Sequence, residues 1–351
     1  MKRRHNVLII LSLTLIACLN ATAQPLPIQL TDEEFWKLSS EFSEPDGRFR
    51  SDNLLSNETW FQYVIPDLIQ AAKAGRVYMG VGPEQNFTYI AALKPKMVFI
   101  VDIRRGNLDL HLMYKALFEL SKDRAEFVSR LFSKKRPDGL GPNSTAVEIF
   151  AAYAKVEASE DLYKENVEAI QDHLIKKHGF PVSTNDIDGI QYVFRNFYRH
   201  GPEIDYSSSG GGGGFGRVNY AELMVTTDES GQARSYLANE ENFGFLKDLQ
   251  TKNLLIPVVG NFAGPKAIRA IGAYLRETDA KVSAFYLSNV EDYLRQDGIS
   301  RQFCINVATL PLDETSTFIR SVRGGRYGQG AGLNSDLGNM AAEVKGCSTN
   351  Q

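Results

Sequence analysis

The chain has 351 residues, of which 43% are hydrophobic and 23% charged, and a net charge of −3. That composition belongs to folded globular proteins and excludes a disordered or collagen-like chain, and the slight acidity argues against general nucleic-acid binding. Its 3 cysteines are too few for a disulfide scaffold, and no C-x-x-C or H-E-x-x-H spacing occurs, so no metal ligand is expected.

Met1-Lys2-Arg3-Arg4-His5 is a basic head, residues 7–17 are apolar apart from Ser12 and Thr14, and Ala21-Thr22-Ala23 closes the segment with small side chains. Together they read as a secretory signal peptide over 1–23. The apolar run falls short of the about 20 residues needed to cross a bilayer. Leu15-Ile16-Ala17-Cys18 also resembles a bacterial lipobox, so two outcomes stay open: cleavage after Ala23, or a lipid anchor at Cys18. Either way the protein is expected to be exported, to the periplasm or beyond. An oxidising compartment would permit Cys304 and Cys347 to pair. The four remaining histidines read as surface or core residues.

Residues 24–75 form a lead-in. Thr31 followed by Asp32-Glu33-Glu34 is a helix start, predicting a helix over 31–42. Phe61, Val64, Ile65, Leu68 and Ala72 recur at helical spacing, predicting a second over 60–74. The most informative stretch follows. Val77-Tyr78-Met79-Gly80-Val81 is a strand, Gly80-Val81-Gly82-Pro83 a turn, residues 86–93 a helix, and Met97-Val98-Phe99-Ile100-Val101 a second strand ending at Asp102. Continuous apolar runs of this kind suit parallel strands covered on both faces.

Residues 107–205 read as a large helical insertion, with a loop over 137–142. SSSGGGGGFG at 207–216 reads as a flexible loop, since no helix or Lys-Ser/Thr signature follows to make it a phosphate loop. Beyond it strands are predicted at 221–227, 233–237, 254–259, 281–287 and 303–310, with helices at 240–249 and 265–277. Alternating strands and helices give a doubly wound, mostly parallel, Rossmann-like α/β sheet over 76–325 with a large helical insertion, followed by a polar tail over 326–351.

In such sheets ligands bind beyond the carboxyl ends of the strands, which selects 80–86, 102–105, 260–264 and 288–291. A glycine pair at a strand-to-helix turn lets a ligand approach the backbone, and an acid about 20 residues on can hold both ribose hydroxyls; Gly80, Gly82 and Asp102 have that spacing. A structural role is the alternative, with the glycines making a tight turn and Asp102 capping beside Arg104.

The stretch YMGVGPEQNFTYIAALKPKMVFIVDIRR resembles the first motif and second-strand acid of the class I S-adenosylmethionine-dependent methyltransferases. The resemblance covers 76–105 and, loosely, 254–289. It implies that Gly80 and Gly82 line the methionine part of the cofactor and Asp102 holds its ribose. It also implies that the VVGNFAGP stretch, with Asn261, lies near the transferred methyl. The third glycine of that motif is Glu84 here, and Pro83 stands in the turn. A carboxylate at that point opposes a pyrophosphate, and so opposes NAD or FAD, but tolerates a sulfonium or the amino group of a methionine moiety. The cofactor-binding set is therefore Gly80, Gly82, Glu84, Asn86, Asp102 and Asn261, with Glu84, Asn261 or His111 available to orient a methyl acceptor. The stretches GVGPEQNFTYI and DIRRGNLDLHL are similar to a group of bacterial proteins with no assigned activity. The expected ligand is a small nucleoside, S-adenosylmethionine first. The expected membrane link is only through Cys18. Since that cofactor is cytosolic, export leaves a non-catalytic nucleoside-binding or envelope interaction protein as the alternative.

Overall fold

The computed structural model describes residues 25–208, 218–330 and 332–347. The expected signal peptide over 1–23, Cys18 within it, residues 209–217 of the glycine-rich region and the last four residues of the tail lie outside them. Among the described residues no helix is long and apolar enough to cross a membrane.

The lead-in begins with helix α1 (Asp32–Phe42), started by a Thr31–Glu34 capping box. A 3-10 turn (Phe61–Val64) then runs into α2 (Ile65–Ala71), where Pro66 occupies the first turn. Strand β1 (Val77–Gly80), helix α3 (Gln85–Leu93) and strand β2 (Met97–Asp102) follow as the sequence predicts, and both strands are buried along their whole length. Helix α4 (Arg105–Leu120) buries every residue from Asn107 to Phe118. It packs on β2 and on β3 (Leu255–Val259) and is covered in turn by α8 (Thr184–His200). α4 is thus the crossover helix itself, and the inserted region begins beyond it. That region comprises α5 (Arg124–Phe132), α6 (Ala146–Tyr153), α7 (Glu160–Asp172), a π-helical turn (His173–Lys177), α8 and α9 (Tyr220–Val225). Helix α10 (Glu240–Thr251) leads into β3; α11 (Ala267–Glu277) and β4 (Val282–Ser288) complete the next crossover.

The C-terminal part departs from the sequence reading. Of the strand expected over 221–227, residues 221–225 belong to α9, because Asn219 and Glu222 make a capping box; of the strand expected over 233–237 only a bridge between Thr227 and Ala233 exists. After α12 (Val290–Gln296), residues 303–310 are not a strand but belong largely to α13 (Ser300–Val307), which buries Phe303 and Val307 at helical spacing. Two strands were not anticipated, β5 (Thr317–Arg323) and β6 (Leu333–Asn339). β6 falls inside the expected polar tail. It is an edge strand with mostly part-exposed residues, so its sequence carries no apolar run. A short helix, α14 (Met340–Glu343), follows. Cys304, on α13, is disulfide-bonded to Cys347 with a Cα–Cα separation of 5.8 Å, within the ordinary span for such bridges.

The six strands form one sheet in the order β3-β2-β1-β4-β5-β6, parallel except for β6. The order reverses between β1 and β4, so the crevice for a ligand opens beyond the carboxyl ends of these strands.

Candidate functional site at the carboxyl edge of the sheet

The turn after β1 is built by side chains. Gly82 takes φ +77°, a left-handed conformation that suits glycine. A Cβ at Gly80 would stand 1.8 Å from Asn86 Oδ1, so a larger residue there must displace the Asn86 side chain that shapes the turn. The Asn86 amide donates to the carbonyls of Val81 (2.9 Å) and Pro83 (2.8 Å), and Asn86 Oδ1 accepts from the Tyr78 hydroxyl at 3.0 Å. His111, on α4, holds the turn from the other side, its Nε2–H donating to the Gly82 carbonyl at 2.9 Å. Asn86 and His111 therefore shape the turn.

The lead-in crosses this edge as a strap over residues 43–58. Glu44 N–H donates to the Val259 carbonyl at the end of β3, and Gly47 N–H to the Ile103 carbonyl just past β2, both at 2.8 Å. The Glu44 carboxylate accepts from the backbone N–H groups of Asn261 (3.1 Å), Lys266 (2.8 Å) and Ala267 (2.9 Å), capping α11. The Asp46 carboxylate accepts from Arg105 N–H at 2.7 Å, capping α4. Ser56 N–H reaches Glu84 Oε1 at 3.3 Å. Glu58, buried, accepts from the Tyr286 hydroxyl and Ser288 Oγ of β4, each at 2.7 Å, and from Gln85 Nε2 at 2.8 Å. Helix α8 closes over the strap, with Tyr192 donating to Asp52 Oδ2 at 2.5 Å.

Asp102 lies at the end of β2 as expected, and Arg104 occupies both its oxygens: Arg104 N–H and Nε donate to Oδ1 (2.9 and 3.1 Å) and Nη2 to Oδ2 (3.1 Å). Arg104 also donates to the Asp52 carbonyl of the strap. Asn261 sits at the end of β3, where its Oδ1 accepts from Ala263 N–H at 2.9 Å. Beside Arg104 the strap and α8 enclose a cavity of about 300 Å³, lined by Phe49, Asp52, Arg104, Gly106, Tyr192 and Val193 among others. Gly80, Gly82, Glu84, Asn86, Asp102 and His111 are thus gathered on one edge, with Asn261 one strand further out. The strap residues Glu44, Asp46, Ser56 and Glu58 were not foreseen, whereas the tight glycine turn and Asp102 paired beside Arg104 are the structural alternative the sequence offered.

The edge holds unusual titratable groups. Glu84 is fully buried, and burial, reinforced by Glu58, raises its pKa from 4.5 to about 8 against the hydrogen bonds that oppose it. Burial, then the Asp186 carboxylate, raises Asp109 from 3.8 to about 8 despite Arg105. Burial lowers His111 from 6.5 to about 4. Glu84 Oε2, Asn107 Nδ2, Asp109 Oδ1 and His111 Nδ1 are buried without a hydrogen-bond partner among the described residues. Buried groups with displaced pKa values and unpaired polar atoms collect at functional sites.

At the opposite, amino edge lies a second cluster. Glu119, near the end of α4, meets both His173 and His178 of the inserted region, which the sequence had left as unrelated surface or core residues.

Residues 54–341 match a family model described as a domain of unknown function, DUF7790, and the chain belongs to that family. The match takes in Glu58, Glu84, Asp102, His111 and Asn261, and begins within the strap, beyond Glu44 and Asp46. No curated protein matches the sequence.

Proposed function

We propose that this member of the DUF7790 family is an exported protein that binds a nucleoside lacking phosphates at the carboxyl edge, S-adenosylmethionine or its demethylated product before others. One observation carries the reading. A helix N-terminus on a Rossmann-like edge ordinarily receives a phosphate, yet here α11 receives Glu44, α4 receives Asp46, and α3 begins at Glu84. A phosphate approaching α11 or α4 is repelled by a carboxylate, and one approaching α3 finds the buried Glu84 carboxyl, which is neutral near pH 7. An uncharged or cationic nucleoside meets no such repulsion, and a sulfonium gains from it.

The glycine turn and Asp102 support the adenosyl assignment through their spacing and their position beside the switch point. The cavity beside Arg104 is at the lower end of the range for small-molecule sites, about 300–1,000 Å³. A bound adenosyl group therefore needs Arg104 to release Asp102 and the strap to lift. If methyl transfer follows, it requires the acceptor to be held in line, and Glu84, protonated at neutral pH, offers a hydroxyl donor to it. The disulfide between Cys304 and Cys347 supports an oxidising compartment and hence export; cleavage after Ala23 and lipidation at Cys18 are both compatible with it.

A second reading has its own observation: Arg104 already satisfies Asp102, and the strap already fills part of the crevice. On that reading the fold is kept for an envelope interaction without a small ligand. A thermal-shift panel separates the two, because a ligand that binds the native state raises its melting temperature. S-adenosylhomocysteine and adenosine should stabilise the protein while ATP and NAD do not. Equal stabilisation by ATP would overturn the phosphate-exclusion argument, and no shift with any nucleoside would leave the second reading.

A further inference from the structure

The amino-edge cluster has the donor set and geometry of a metal site. Glu119 Oε2 lies 2.9 Å from His173 Nε2 and 2.9 Å from His178 Nε2, and the three side chains are only 3%, 7% and 5% exposed. Two imidazole nitrogens converging on one carboxylate oxygen are what a cation between them requires. Tetrahedral zinc takes such ligands at about 2.0–2.2 Å, so the three atoms need to open by roughly half an ångström. The two histidines are five residues apart, a spacing an α-helix does not align. The π-helical turn His173–Lys177 aligns it, with His178 N–H bonding the His173 carbonyl at 3.1 Å. Single π-turns recur where a function needs them.

The surroundings fit as well. His178 Nδ1 lies 2.6 Å from Asp32 Oδ1; a ring N–H given to a carboxylate is the usual way a metal-bound imidazole is oriented. Asn253, immediately before β3, fixes Asp32 by donating to the same oxygen at 2.8 Å. Lys115 holds Glu119 Oε1 at 2.8 Å, which leaves Oε2 for a monodentate bond. Lys177 stands 3.6 Å from Oε2, but its side chain is 61% exposed and free to swing into water. Lys177 and the half-exposed Asp32 bring solvent to the margin of the cluster.

We propose that Glu119, His173 and His178 bind one zinc ion through Oε2 and the two Nε2 atoms, with water as fourth ligand. The ion ties α1, through Asp32, and the inserted helices to α4. Zinc replaces the protons that the ring nitrogens otherwise donate to Oε2. The site lies at the edge opposite the nucleoside crevice and does not depend on that reading.

The test uses the untagged chain, freed of metal with a chelator and titrated with zinc chloride by calorimetry, with bound metal counted by mass spectrometry. One zinc per chain is expected, with a higher melting temperature. His173→Ala and His178→Ala should remove stoichiometric binding, and Asp32→Asn should weaken it about 10- to 100-fold. If a histidine variant fails to fold, the cobalt-substituted wild type decides: intense visible bands of a tetrahedral centre support the site, and their absence overturns it. A folded wild type that takes up no zinc, or a folded His173→Ala that binds it as tightly as the wild type, equally overturns the proposal.

Discussion

The two edges of the sheet treat buried charge in opposite ways. At the amino edge, Glu119 is enclosed by Lys115, His173 and His178, whose nitrogens stand within 2.9 Å of its oxygens. At the carboxyl edge, Glu84 and Asp109 are buried without a matching cation on their unpaired oxygens, and His111 keeps an unpaired ring nitrogen. The first arrangement is closed and holds elements together. The second carries its polar groups unsatisfied, a cost of about 1–3 kcal/mol for each such group, tolerated where a ligand or a moving cover is to meet them. α4 spans both, so one helix joins a closed cluster to one with unpaired polar groups.

Removing the acid from each edge should break this symmetry most plainly. Glu119→Ala leaves Lys115, His173 and His178 buried around no anion, a change that costs about 3–5 kcal/mol when one partner of a buried pair is lost. Urea unfolding of the metal-free protein measures it. Glu84→Gln, which imitates the neutral acid, should cost little at pH 7. A loss from Glu84→Gln as large as that from Glu119→Ala would erase the distinction.

The pH dependence sharpens it. A carboxyl group whose folded pKa is raised binds its proton in the folded state after the unfolded chain has lost it, so stability falls as pH rises between the two values. For Glu84 that window runs from 4.5 to about 8, and for Asp109 from 3.8 to about 8. His111 acts in the opposite sense between about 4 and 6.5, where the unfolded chain binds the extra proton. Of these three groups only the two acids act above pH 6.5. Stability should fall from pH 6.5 to 8 by about 2 kcal/mol for each, and Glu84→Gln and Asp109→Asn should each remove their share. A flat profile over that range in the wild type contradicts the assignment.

The smallest effect concerns the strap. Asp46→Ala removes a cap from α4 and should cost about 1 kcal/mol. It should also admit ATP to the edge more readily, read as a thermal shift that the wild type lacks.

How much of this was legible in the sequence follows from burial and from distance along the chain. β1, α3 and β2 could be read because strands buried on both faces are written as unbroken apolar runs, VYMG and MVFIVD. β5 and β6 could not, since TFIRSVR and LNSDLGN mix polar and apolar residues at the open side of the sheet. Phe303 and Val307 were apolar enough for either strand or helix, and packing decided for a helix. Gly80, Gly82 and Asp102 announced themselves by spacing. Glu44 and Asp46 did not, for their partners lie 217 and 59 residues away and nothing local marks them. His173 and His178 were hidden because a five-residue spacing has meaning only once the helix takes a π-turn.

The most direct test of the central claim is calorimetry with S-adenosylhomocysteine on the folded wild type and on Asp102→Ala. A hydrogen bond to a charged acceptor contributes about 1.5–3 kcal/mol, which at about 1.4 kcal/mol per tenfold predicts binding by the wild type and a loss of one to two orders of magnitude in the folded variant, whose own stability falls because Arg104 loses its partner. No heat of binding with the wild type, or a folded Asp102→Ala variant that keeps its affinity, would contradict the account and leave Asp102 as the clasp of Arg104.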